Sequence, residues 1–96
     1  MSTAVWVAEL LVSEPAAAKI TNRHHLDPVE VQAALLGVRG LAGRWDHDPV
    51  RGSRLLVRVG LGTDMVLAVL YPVESPPLGD VWALATAFRF DRDRAD

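Results

Sequence analysis

Lys19-Ile20-Thr21-Asn22-Arg23-His24-His25 sets two imidazoles side by side, with Arg23 just before them and Lys19 one helical turn upstream. An imidazole titrates near neutrality, so a histidine here could take up or give a proton at pH 7. Metal binding suits the spacing poorly. Neighbouring helical residues point about 100° apart, and the helical zinc pattern spaces its histidines four apart for that reason. His47, between Asp46 and Asp48, completes the histidines, and the chain has no cysteine. No metal and no other cofactor is expected from this set.

Phosphate chemistry is the better match to the remaining cations. Arg54 and Arg58 fall four apart, on one face of a strand, and Arg89 lies near the end of the last apolar run. A guanidinium grips phosphate through paired hydrogen bonds. RNA cleavage without metal needs a deprotonated 2′-hydroxyl, a protonated leaving oxygen and charge stabilised on the phosphoryl oxygens. One His with one or two Arg could supply parts of that. The plainer reading has His24 packed inward at a helix end, His25 in solvent, and the arginines as solvated surface charge. Spacing alone favours the plainer reading.

The elements that must position these residues are legible. Residues 4–12, AVWVAELLV, are short, β-branched and aromatic, as a strand is, with Trp6, Ala8, Leu10 and Val12 on one face. Ser13-Glu14-Pro15 starts a helix running to about residue 25, with Ala17, Ile20 and His24 as its inward stripe. Asp27-Pro28-Val29-Glu30 reads as a capping box opening a second helix, whose apolar positions are Val31, Ala34, Leu35 and Val38. Strands follow over 41–47, 53–61, 65–71 and 81–90. Turns are expected at 48–52 and 62–64, and a Pro-rich loop at 72–80. Strand 65–71 is apolar throughout and suits a central position. Strict alternation in the last strand puts Trp82, Leu84, Thr86, Phe88 and Phe90 on one bulky face. The sum is α+β, in the order β-α-α-β-β-β-β: two N-terminal helices packed on a mainly antiparallel sheet of four to five strands.

Bulk properties bound the function. The 96 residues suffice for one domain, with the acidic tail 91–96 expected to be flexible. A net charge of −2 argues against a simple basic nucleic-acid binder. The charge is uneven, however: five arginines between Arg39 and Arg58 face Asp46 and Asp48 alone. The apolar start lacks a basic leader and is interrupted by Glu9, so it reads as a strand rather than a signal peptide. No run reaches the roughly 18 apolar residues of a membrane span. The cysteine-free composition fits the cytoplasm, and the short chain fits pairing with a partner or with itself.

The order of motifs resembles a known family. Lys19, Arg23-His24, Leu26-Asp27 and Glu30 are similar to the "K…KHG-V-S-x-E-E" segment of BrnT-type toxins, bacterial toxin–antitoxin proteins related in fold to the RelE/ParE group. Asp48-Pro49-Val50-Arg51-Gly52 resembles that family's "DP.RG" turn, and Thr86-Ala87-Phe88-Arg89 its last strand, where Ser or Thr, Ala and Arg occur. The likeness is one of layout, over about residues 5–90. It implies a metal-independent mRNA endoribonuclease, acting on free or ribosome-bound RNA and neutralised by a cognate antitoxin. By position, His24, Arg58 and Arg89 would be catalytic, and Lys19, Arg23 and Arg54 would bind substrate. Three features depart from the pattern. His25 stands where the family has Gly, Phe88 takes the Arg position, and the tail is acidic. A non-catalytic protein-interaction module of the same fold is the alternative. A third reading is a small-ligand domain with loop 72–80 as its lid.

Overall fold

The computed structural model describes residues 3–73 and 80–90. It is an α+β fold with the elements β1 (Thr3–Val5), β2 (Glu9–Leu11), α1 (Glu14–His24), α2 (Pro28–Leu35), β3 (Leu41–Asp48), β4 (Gly52–Leu61), β5 (Asp64–Pro72) and β6 (Val81–Arg89). All six strands join one sheet in the order β1-β3-β4-β5-β6-β2. Every pairing is antiparallel except β2 with β6. The flexible tail expected over 91–96 and the centre of the Pro-rich loop lie outside the described residues.

The first strand differs from its sequence reading. Residues 4–12 form two strands on opposite edges of the sheet, not one, which makes six strands. The burial pattern gives the reason. Val5 and Val7 are buried, but so is Leu10, and the parity break lies between Val7 and Leu10. Only Trp6–Ala8 separate the two edges. Four Cα steps span at most about 14 Å, whereas six flat strands would hold their edges about 24 Å apart. The sheet therefore curls until its edges nearly meet. Val7, fully buried, plugs the gap, and its carbonyl accepts from Gly37 N–H at 2.8 Å.

Both helices start where the sequence predicts, but the capping box expected at Asp27–Glu30 forms only its Asp27 half, with no Glu30 bond to the Asp27 amide among the described residues. Ser13 Oγ accepts from Ala16 N–H at 3.2 Å, and Asp27 Oδ1 accepts from Val29 N–H at 2.9 Å. α1 buries Ala16 and Ile20, and α2 buries Val31 and Leu35. Ala17 and His24 are half-buried at the margin of that stripe. Ile20, Val31 and Leu35 are fully enclosed with Leu55, Val57, Val66 and Leu70 of the sheet. Each such side chain contributes about 1.5–3 kcal/mol over an exposed position.

β6 departs from strict alternation. Val69 pairs with Thr86, but Leu70 pairs with Leu84, so Ala85 is an extra residue in a β-bulge. Trp82 and Leu84 face the core before the bulge, and Ala87 faces it afterwards. Thr86 and Phe88 turn to the other face of the sheet. The continuous bulky face expected for this strand does not form.

Candidate functional site

α1 packs against β6 beyond Ala83, where β2 no longer pairs with it. Its last residue, His24, touches both sides of that strand. The imidazole lies against Phe88, with ring centroids 5.7 Å apart, and the His24 carbonyl accepts from Arg89 at 3.0 Å. Packing of the ring lowers the His24 pKa from its ordinary 6.5, with smaller contributions from Arg23, Lys19 and His25. The shift favours the neutral imidazole, the form that accepts a proton.

His25 has a local role. It adopts the left-handed conformation with φ 54°, and it is the one described non-glycine residue with positive φ. The next amide, Leu26 N–H, bonds back to the Ile20 carbonyl at 3.1 Å, and Leu26 is buried in the core with Ile20. The His25 N–H bonds to the same Ile20 carbonyl, so a left-handed residue closes the helix at a position that glycine favours.

The three arginines do not share a face. Arg54 and Arg58 alternate with the core residues Leu55, Val57 and Val59, so they project from the outer face of β4. Arg89 pairs across from the buried Val66, so it leaves β6 on the core side. There its Nε donates to Asp64 Oδ2 at 3.1 Å while the same side chain holds the His24 carbonyl. A clamp of Arg54, Arg58 and Arg89 on one phosphate is excluded by this placement. The bulge at Ala85 produces it, by moving Phe88 outward and Arg89 inward.

Arg58 does share its face with His24. Arg58 pairs with Leu67, and Leu67 with Phe88, on which His24 rests. Two strand spacings, about 10 Å, separate the Arg58 and Phe88 backbones. The Arg58 guanidinium lies 5.2 Å from the Phe90 ring centroid. Arg23 is exposed on α1.

Between α1 and this outer face runs an open cleft of about 330 Å³. Leu67, Val69, Tyr71, Thr86 and Phe88 form its floor, and Lys19, Arg51 and Arg54 its rim. A second hollow of about 350 Å³ adjoins it through Lys19, Arg51 and Ala85, and continues toward Leu11 and Ser13. Lys19 and Arg54 thus meet as substrate-binding candidates, joined by Arg51, which the sequence marks only as a turn residue.

Asp48 is the one carboxylate lining this cleft. It accepts from Val50 N–H at 3.0 Å and from the Tyr71 hydroxyl at 2.9 Å, and these bonds hold its carboxyl below the ordinary range. Arg54 donates to Asp46 at 2.7 Å, which lowers the Asp46 pKa and raises that of Arg54. The Arg51 guanidinium stacks 4.1 Å over the Tyr71 ring. Among the described residues neither Lys19 nor Arg51 has a carboxylate within salt-bridge distance. The Thr86 hydroxyl is shielded from solvent and has no hydrogen-bond partner. No protein-family model matches the chain, and no curated protein or solved structure matches it either.

Proposed function

We propose that this chain is a toxin-like, metal-independent endoribonuclease whose cleft binds single-stranded RNA, and that a cognate antitoxin neutralises it in the cytoplasm. The supporting observation is that Lys19, Arg51 and Arg54 line one groove, on the sheet face where His24 and Arg58 also lie. Lys19 and Arg51, exposed and with no described carboxylate beside them, suit a phosphodiester backbone, and the groove's aromatic side chains suit unstacked bases, whereas Arg54 is held by Asp46. In this reading His24 accepts the proton of a 2′-hydroxyl. The 2′-oxygen attacks phosphorus, the bond to the 5′-oxygen breaks, and that oxygen takes its proton from water. Arg58 stabilises the charge gathering on the phosphoryl oxygens. Arg89 is a positioning residue, because its guanidinium is engaged by Asp64 and the His24 carbonyl.

Induced expression should arrest growth, and the purified chain should cleave RNA in excess chelator. His24→Ala should reduce cleavage by about 10²–10⁴-fold, the range of one general base. Normal growth together with intact RNA would sink this reading.

The second reading is a non-catalytic interaction module. It is favoured by the engagement of Arg89 away from the cleft, which leaves Arg58, two strands from Phe88, as the one strand arginine on the face of the His24 ring among the three residues proposed as catalytic. It expects RNA or a partner chain, including a second copy, to bind without being cut. His24→Ala would then leave that binding unchanged.

A further inference from the structure

The Thr86 hydroxyl is the unusual group in the cleft. A hydroxyl kept from water without a partner forfeits hydrogen bonds it would have made in the unfolded chain. Thr86 pairs across from Val69, and both line the cleft floor. The bulge at Ala85 brings Thr86 onto the floor, with its hydroxyl tucked beneath the surface; in strict alternation Thr86 would share the core-facing side of Trp82 and Leu84. Around it the floor is apolar, formed by Leu67, Val69 and Phe88, and the rim carries Lys19 and Arg51, neither neutralised by a described carboxylate. Asp48 is occupied by Tyr71, the Val50 amide and, at 3.9 Å, Arg54.

A ligand that answers all of this has a flat apolar body, a hydrogen-bonding edge and an anionic group at one end. An alkyl carboxylate lacks the edge, and a bare phosphate lacks the body. We propose that the cleft seats one nucleoside phosphate unit, free or within a single strand. Its base lies on Leu67, Val69 and Phe88, its polar edge meets Thr86 Oγ1 once that side chain turns about χ1 to present the hydroxyl to the cleft, and its phosphate lies between Lys19 and Arg51. The cleft volume, about 330 Å³, is at the small end of ligand sites, suited to one nucleotide unit. This deepens the RNA reading but does not need catalysis.

The test is an NMR titration of the isotope-labelled full chain with AMP, UMP, inorganic phosphate, octanoate and a hexauridylate strand. At least one mononucleotide should saturate, with the largest amide shifts at Thr86, Phe88 and Lys19. Thr86→Val should weaken that binding about tenfold, the size of one hydrogen bond, and Thr86→Ser should restore it. Lys19→Ala with Arg51→Ala should abolish it. Tighter binding of the strand than of either mononucleotide assigns the site to RNA, and the reverse assigns it to free nucleotides. Binding of octanoate or phosphate as strong as that of the nucleotides would overturn the proposal. So would the absence of nucleotide binding, or binding indifferent to Thr86→Val. Saturable nucleotide binding without growth arrest would leave this site standing and remove the toxin reading. Growth arrest and RNA cleavage without nucleotide binding would do the opposite.

Discussion

At the residue scale, the paired histidines separate into two unrelated roles. The His24 ring packs on Phe88, which lines the cleft, whereas His25 carries the helix ending. A non-glycine residue in the left-handed region costs on the order of 1 kcal/mol. His25→Gly should therefore raise stability to urea by about that amount and leave cleavage or ligand binding unchanged. A loss of stability would show that the His25 side chain makes a contact that matters. The helix end at His24–His25 was legible in sequence through the Asp27-Pro28 start that follows it. That His25 is left-handed was not, because the conformation depends on Leu26 finding the core beside Ile20.

At the element scale, close approach of β3 to β4 sets a second constraint. Gly43 pairs with Val57, and a Cβ there would lie 2.9 Å from Leu55 Cγ and 3.1 Å from the Leu56 carbonyl oxygen. Gly43→Ala should destabilise the chain by about 1–3 kcal/mol, the usual cost of overpacking, measured by chemical denaturation. A neutral result would mean that Leu55 changes rotamer freely. β6 carries the lesson for the site. Its apolar pattern identified a strand correctly, but an extra residue at Ala85 leaves no mark in that pattern. The consequence was large: Thr86 joined the cleft and Arg89 left the face of Arg54 and Arg58.

At the scale of the whole molecule, charge governs the response to pH. The His24 pKa is lowered, so the unfolded chain binds its proton more readily. The stability tied to His24 is fully present above its ordinary 6.5 and is lost as pH falls through the folded value. Asp46 and Asp48 are also held below their ordinary 3.8, so their contribution is present above that value and lost on further acidification. The urea midpoint should thus fall in two steps from pH 7 to strong acid, and His24→Gln should remove the first. A midpoint that rises between pH 7 and 5 would contradict the environment described for His24.

The sequence by itself determined the class of the fold, the two helices with their caps, and the strands after residue 40. Those features rest on short-range physics: apolar periodicity, a capping oxygen two or three residues from its amide, and turns built on Asp, Pro and Gly. It also named Lys19 and Arg54, which the cleft joins. Tertiary structure decided the rest. Splitting of the first strand follows from a sheet that curls until its edges must be bridged by three residues. The choice of Arg51, Tyr71 and Thr86 as cleft residues follows from a turn, a central strand and a bulge meeting α1. Such meetings join positions far apart in the chain, and no local pattern encodes them.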